Sequence, residues 1–275
     1  MTTADDHALA HDLAERAGRL LLDLRAQGGD PVALKDAGDR SSHNFLMAEL
    51  AKARPDDAVL SEEGIDDKDR LTANRVWIVD PLDGTREFGE PGRPDWAVHV
   101  ALWERLPVSD ADAEGEATAP LRDAGAAGEL TAGAVALPAQ GTVLSTLSPL
   151  DVAQRRSGAE RRLRLVVSRT RPSKLVKDVA QLLNADLVPC GSAGAKAATV
   201  ITSQNDVYLH SGGFYEWDTA APVAVARAAG LHVSRIDGSD VVYNQENPLL
   251  PDILVCRPAI ASLLLNAIRE ATHAI

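Results

Sequence analysis

Two aspartates three positions apart close an apolar run in Val76-Trp77-Ile78-Val79-Asp80-Pro81-Leu82-Asp83-Gly84-Thr85-Arg86-Glu87-Phe88. The run reads as a buried strand that stops abruptly. Pro81 fixes its own φ and holds Asp80 extended. Gly84 lets the backbone bend or be approached closely. Two carboxylates at such a strand end can converge on one point beyond the sheet. Hard divalent cations take oxygen ligands of this kind, and Mg²⁺ usually uses one or two carboxylates with water and phosphate. The amides of Gly84 and Thr85 can open a helix and receive an anion. Taken alone, Asp-Pro-x-Asp-Gly is equally a common polar turn.

Three further acidic segments carry the same chemistry. Ala58-Val59-Leu60 ends in Ser61-Glu62-Glu63-Gly64. Adjacent strand residues point to opposite faces, so only one of the two glutamates can enter a given site. Glu216-Trp217-Asp218-Thr219 places Asp218 at a helix start, where it could equally be an N-cap worth about 1 kcal/mol. Lys35-Asp36-Ala37-Gly38-Asp39-Arg40-Ser41 reads as a turn leading into a helix. Each of the three is also explained as an ordinary surface acid. His99, His210 and His232 read as packing or surface residues.

These segments need a scaffold that brings them together. Leu9, Leu13, Ala17, Leu20 and Leu24 form one stripe of an amphipathic helix over 8–27, closed by Gly28-Gly29. A second helix is expected to begin near Ser41-Ser42 and to stop before Pro55. Strand patterns follow at 58–60, 76–79, 97–103, 132–137 and 142–147. Residues 107–129 are rich in Ala, Gly, Asp and Glu and poor in large apolar residues, which predicts a flexible insertion. Beyond it the elements alternate: strand 164–168, helix 173–184, helix 195–203, strand 206–210, helix 218–229, strand 232–236, strand 252–256 and helix 259–271. Hairpin-like strands in the first half and alternating elements in the second predict a two-part layered α/β sandwich with a cleft between the halves.

The chain has 275 residues, with 28 Lys and Arg against 40 Asp and Glu, a net charge of −12. An acidic balance argues against phosphate-backbone binding as the main task, because that needs a basic surface. No apolar run is long enough for a membrane span, and the acidic N-terminus lacks the pattern of a signal peptide. Cys190 and Cys256 are too few for a disulfide framework or a zinc site and fit a reducing cytoplasm.

Asp39, Ser61-Glu62-Glu63, Asp80-Pro81-Leu82-Asp83-Gly84-Thr85 and Trp217-Asp218 stand in the order found in the inositol monophosphatase superfamily, and the sequence resembles it over nearly its whole length. Within that superfamily it resembles the CysQ-type 3′(2′),5′-bisphosphate nucleotidases, especially actinobacterial ones. The features that favour this subgroup are Thr85-Arg86-Glu87-Phe88, Trp217-Asp218-Thr219-Ala220-Ala221, Ser168-Arg169, and Gly191-Ser192 with Lys196. Glu87 stands where inositol phosphatases tend to have Asn. One departure is Asp36, three positions before Asp39, where many members have Thr.

The resemblance implies an α/β (α+β) fold, the αβαβα sandwich of the inositol monophosphatase and fructose-1,6-bisphosphatase type. It implies one domain, with a metal-site lobe over 1–150 and a substrate-wall lobe over 151–275. Two or three Mg²⁺ ions would be held by Glu62, Asp80, the Leu82 carbonyl, Asp83 and Asp218. Asp39 and Thr85 would orient the attacking water. Glu62, Asp83, Gly84, Thr85, Arg169, Ser192, Lys196 and Asp218 would contact the substrate. Gly191 and Gly194 would let the backbone approach it, and Lys196 would meet the ribose or the distal phosphate, unless it is a solvated helix residue. The implied reaction is hydrolysis of the 3′-phosphate of 3′-phosphoadenosine 5′-phosphate to AMP, in cytoplasmic sulfate assimilation, by a lithium-sensitive homodimer.

Inositol 1-phosphate and fructose 1,6-bisphosphate are alternative substrates. A phosphate-binding regulator without catalysis, or an acidic interaction protein, is the alternative of another class.

Overall fold

The computed structural model describes residues 4–107, 128–152 and 161–273. Two five-stranded sheets dominate it. In the first the spatial order is β1 (Ala58–Ser61), β2 (Arg75–Asp83), β3 (Ala97–Arg105), β4 (Gly128–Leu137), β5 (Thr142–Ser145). Only β1 and β2 are parallel, and the other neighbours are antiparallel. The second sheet has β7 (Asp186–Cys190), β6 (Arg164–Ser168), β8 (Val207–Tyr215), β10 (Leu249–Cys256) and β9 (His232–Ser234) in that spatial order.

Helices fill three layers around these sheets. α1 (Ala4–Ala26) and α2 (Pro31–Ala53) cover the outer face of the first sheet, where Leu13, Leu21 and Leu46 pack against Trp77, Val79, Val100 and Leu102. α5 (Ala193–Ile201) and α6 (Glu216–Ala228) fill the space between the sheets, against Ile78, Ala101 and Val135 on one side and Val166, Ile253 and Val255 on the other. α4 (Lys174–Leu182) and α7 (Pro258–His273) close the outer face of the second sheet. The result is the expected αβαβα sandwich. β2 is buried on both faces, which explains its continuous apolar run, and β3 is buried on both faces as well, although its sequence reads as alternating.

Several boundaries differ from the sequence reading. α2 begins at Pro31, ten residues before Ser41, so the segment expected to be a turn lies within a helix. Asp30 caps it by accepting hydrogen bonds from the Val32 and Ala33 amides at 3.1 and 2.9 Å, and Pro31 is the first helical residue. That Asp-Pro pair is a helix-start signal. α6 begins at Glu216, so Asp218 is its third residue and not an N-cap. β7 lacked a recognisable pattern because Pro189 interrupts it, and the structure places it at a sheet edge, where a missing N–H is tolerated. Most of the expected insertion, residues 108–127, lies outside the described residues. Its last two residues, Gly128 and Glu129, already belong to β4. No described helix is long and apolar enough to cross a membrane.

Candidate active site

Residues three apart on a regular strand face opposite sides of a sheet. Asp80 and Asp83 escape this rule through a bulge. Asp80 pairs with His99 and Asp83 with Ala97, so three steps along β2 match two along β3. The extra residue turns Asp83 back to the inner face already occupied by Asp80. Gly84 follows in the left-handed region at φ +86, and a Cβ there would lie 2.8 Å from the Ser192 side chain. Both facts require glycine at this position. α3 (Thr85–Gly89) starts immediately after it.

Asp218 reaches the same point from α6, on the other side of the inner layer. Its Oδ2 accepts the Tyr215 amide at 2.7 Å, which fixes the carboxylate while leaving Oδ1 to the site. Carboxylate oxygens of Asp80, Asp83 and Asp218 lie within 4.8 Å of one another. Glu62, just past β1, is not within this tight triad, but its carboxyl faces that of Asp80 at the solvent side. Its neighbour Glu63 adds a like charge that acts on both Glu62 and Asp39.

The four carboxyls are not equivalent. Burial and the charges of Glu62 and Asp83 push Asp80 well above the ordinary aspartate range. Burial and Asp218 raise Glu62 to about 7, and burial and Asp83 raise Asp218 to about 6. Burial acts in the same direction on Asp83, yet its pKa is lowered, because His99, Lys196 and the Gly194 amide outweigh it. Its Oδ1 accepts the Ala193 amide at 3.1 Å, and its Oδ2 accepts the Gly194 amide and lies 3.1 Å from His99 Nε2. An all-oxygen, mutually repelling, largely buried donor set of this kind fits a hard divalent cation such as Mg²⁺.

His99 is not the packing residue expected from sequence. It is fully buried, its Nδ1 lies 3.1 Å from the Trp217 carbonyl, and its Nε2 faces Asp83. It therefore ties β3 to the start of α6 and to the carboxylate cluster at once. Burial disfavours a charged ring, but Asp83 and the Trp217 carbonyl outweigh it and raise the pKa. The available signal was its register opposite Asp80, which needs the sheet pairing to be known.

Asp39 approaches from α2. Thr85 Oγ1 lies 3.3 Å from Asp39 Oδ1 and 3.2 Å from the Leu82 carbonyl, so one hydroxyl proton serves two acceptors. Burial and the neighbouring Glu63 raise Asp39 to about 6.

A cleft of about 460 Å³ opens over the cluster, and Glu62, Asp83, Thr85 and Asp218 line its floor. The expected substrate residues are in its wall, with different partners from those anticipated. Arg169 is held by Glu87 at 2.8 Å and Glu90 at 2.8 Å. Ser192 caps α5, its Oγ accepting the Ala195 amide at 2.9 Å. Lys196 is only 5% exposed. Its ammonium turns inward to the carbonyls of Gly191 and Ser192, the latter at 2.8 Å, and sits 5.5 Å from the centre of the Tyr208 ring. It is therefore not a solvated helix residue, and it lines the cleft from within the wall. Gly191 and Gly194 accommodate Glu87 and His99, so their close approach is to protein atoms. Sequence reasoning missed the aromatic side of the wall, where His210 and Phe214 stack at 4.1 Å between centroids and 20° between planes.

The raised carboxyls give the metal-free protein a specific pH response. A carboxyl whose folded pKa exceeds its unfolded value stabilises the fold when protonated, and that contribution is lost as pH rises through the folded value. For Glu62 and Asp218 the loss runs up to about 7 and about 6. His210, lowered to about 4 by burial, acts in the opposite sense, but only below its ordinary 6.5. Between about pH 6.5 and 8 the thermal midpoint of the metal-free protein is therefore expected to fall by a few degrees. Mg²⁺ should reverse the part due to Glu62 and Asp218, with the larger shift at the higher pH, while Glu216, raised to about 7 by burial outside the cluster, keeps its share. A midpoint that rises over this interval without metal would contradict the electrostatic picture of the cluster. Differential scanning calorimetry with and without chelator makes the comparison.

The chain is similar in sequence to known phosphatases along nearly its whole length. The profile of the inositol monophosphatase family matches residues 8–273. A 3′-phosphoadenosine 5′-phosphate phosphatase of Mycobacterium leprae is 49% identical over 267 residues, covering 96% of this chain and 94% of that one. The 3′(2′),5′-bisphosphate nucleotidase CysQ of Escherichia coli K12 is 29% identical over 224 residues, covering 78% and 81%. Among solved structures, inositol monophosphatase II from Staphylococcus aureus matches with a TM-score of 0.77 at 18% identity, covering 98% of each chain, which shows the shared fold. The protein with this carboxylate-lined cleft between two sheets belongs to the inositol monophosphatase family.

Proposed function

We propose that the protein is a Mg²⁺-dependent phosphatase that removes the 3′-phosphate of 3′-phosphoadenosine 5′-phosphate, giving AMP and inorganic phosphate. The observation that carries this reading is that one cleft holds the carboxylate cluster on its floor and a stacked aromatic pair, His210 and Phe214, in its wall. A nucleotide needs both, a place for the cleaved phosphoryl group and a flat apolar face for the base. An inositol phosphate has no use for the second. The names of the similar phosphatases support the same substrate.

Glu62, Asp80, the Leu82 carbonyl, Asp83 and Asp218 are the residues that would hold two or three ions. When bound, Mg²⁺ supplies the positive charge that acidifies a water and neutralises phosphoryl oxygens. The remaining work falls to the chain. Thr85, donating to Asp39, keeps its oxygen lone pairs for a water, and the Asp39 carboxylate takes up the proton that water loses. Asp83, clamped by two α5 amides, keeps its position while its neighbours change charge. Gly84 and Thr85 bring backbone amides to the floor of the cleft, where phosphoryl charge builds up. The working unit is a cytoplasmic homodimer serving sulfate assimilation, and Li⁺ inhibits it.

Phosphate release measured side by side on the bisphosphorylated nucleotide, inositol 1-phosphate and fructose 1,6-bisphosphate tests the reading. The nucleotide should have the highest specificity constant, and none of the three should turn over in excess chelator. A preference for inositol 1-phosphate would overturn the substrate, and full activity in chelator would overturn the chemistry.

The second phosphate of the nucleotide needs a cation that is not already engaged. Arg169 is taken by two glutamates and Lys196 by two carbonyls. Arg171 lines the cleft, is exposed, and has no carboxylate partner among the described residues. Arg171→Ala should therefore lower kcat/KM for the bisphosphorylated nucleotide about tenfold and leave a monophosphate nearly unchanged, the loss of one charge-assisted contact. Lys196→Met should reduce both substrates alike, because it loosens the wall as a whole. Equal losses for Arg171→Ala on both substrates would remove it from the distal-phosphate role.

A further inference from the structure

Glu62 and Asp218 reach the cluster from different layers, and one buried assembly joins their supports. Arg70 lies in the 3-10 turn Lys68–Leu71, in the connection that carries Glu62 from β1 towards β2, and is 1% exposed. Its Nε donates to Asp66 Oδ1 at 2.6 Å and one terminal nitrogen to Asp66 Oδ2 at 3.1 Å, which stiffens that connection. The rest of the guanidinium crosses to the loop before β10. It donates to Asn244 Oδ1 at 2.7 Å and to the Gln245 carbonyl at 2.9 Å. Asn244 Nδ2 returns a hydrogen bond to the Arg70 carbonyl at 3.2 Å.

The same two loop residues are gripped from the other side by Glu216. Its Oε2 accepts the Asn244 amide at 2.7 Å and its Oε1 the Gln245 amide at 2.8 Å. Glu216 is 2% exposed and is the first residue of α6, two before Asp218, and its own amide is tied to the Pro248 carbonyl at 2.8 Å. Asn244 sits at φ +59, a left-handed conformation that Asn tolerates better than most residues. A buried carboxylate and a buried guanidinium thus hold a two-residue loop between them without touching each other. Neither lines the cleft.

We propose that Arg70, Asn244 and Glu216 are positioning residues that set the separation of Glu62 and Asp218, and so the affinity of the site for its cations. The inference rests on the reading of those two carboxylates as cation ligands. Local helix or strand geometry does not constrain their separation, because β1 and α6 are joined only through the sandwich. A small relaxation of the 244–245 loop would let the two supports drift while every ligand remained in the chain. Groups hydrogen-bonded directly to metal ligands change metal affinity by about 10- to 100-fold when removed, and these residues, acting one step further out, are expected at the low end of that range.

The test uses the full-length protein, with Mg²⁺ affinity read by titration calorimetry and by the Mg²⁺ concentration giving half-maximal phosphate release. Asn244→Gly keeps the left-handed backbone and deletes the bridge to Arg70. Glu216→Gln keeps the shape and removes one acceptor. Each should raise the Mg²⁺ dissociation constant about tenfold or more, with kcat at saturating Mg²⁺ within about threefold of the parent. Asn244→Asp retains the acceptor facing the Arg70 guanidinium but sets an oxygen against the Arg70 carbonyl, so it should restore only part of the affinity. Lower thermal midpoints with unchanged Mg²⁺ affinity in both variants would show a purely structural role and overturn the proposal. A parent protein that binds no Mg²⁺ in calorimetry would instead overturn the cation reading itself, and the proposal with it.

Discussion

Asp80→Asn should abolish phosphate release and at the same time make the metal-free protein more stable. Under the proposed function the activity loss follows from removing a cation ligand, at a cost of several kcal/mol of transition-state stabilisation, about 10³-fold or more in kcat/KM. The gain in stability follows from the electrostatics. Burial and three neighbouring carboxylates already oppose the charge on Asp80. The isosteric amide removes that charge and can still accept the Leu82 amide, now bound to Asp80 Oδ1 at 3.0 Å. Asp83→Asn should lose activity as fully but move stability the other way. Both Asp83 oxygens accept amides from the start of α5. A side-chain NH₂ group would place a donor against a donor, at about 1–3 kcal/mol, or several degrees of thermal midpoint. Calorimetry of both variants in chelator, beside phosphate-release assays in Mg²⁺, reads the opposite signs directly. A lowered midpoint for Asp80→Asn would refute the idea that repulsion dominates at this position.

Asp39→Asn should reduce turnover by about 10²- to 10⁴-fold while changing Mg²⁺ affinity less than about threefold. Asp39 lies outside the carboxylate triad and meets the site through the Thr85 hydroxyl. The amide oxygen can still accept that hydroxyl, so the geometry is retained and only the capacity to take a proton is lost. Parent turnover should also decline in acid as Asp39 protonates, at or below about 6, because a bound cation nearby can only lower its value. The variant should lack this acid limb. Parent-like turnover in Asp39→Asn would exclude Asp39 as the proton acceptor, and a large loss of Mg²⁺ affinity would make it part of the ion site instead.

What the sequence determined by itself was the chemistry and the scaffold type. Acids following apolar strand runs, Pro81 and Gly84 around the Asp80–Asp83 pair, and the spacing of Leu9, Leu13 and Ala17 are all local signals that act over a few residues. They suffice to place most strands and helices and to single out the acidic segments, whereas their assembly into one site was implied by the family resemblance. The helix start at Asp30-Pro31 carries a local signal of the same kind, although the sequence reading placed that start near Ser41 and left Asp39 in a turn.

Only the tertiary structure decided which partner each charged group takes. The pairing of strands creates the bulge that turns Asp80 and Asp83 to one face and brings His99 against Asp83. The Asp83–Gly194 contact spans 111 positions, and the Arg70–Asn244 contact spans 174. No periodicity encodes separations of that size, because they exist only once the layers have closed. The fate of the cations was hidden for the same reason. Lys196 and Arg169 both line the cleft, and packing surrounds one with carbonyls and the other with two glutamates. A cation leaving water takes the acceptors that the fold provides, since an unpaired buried charge costs far more than a lost contact to substrate.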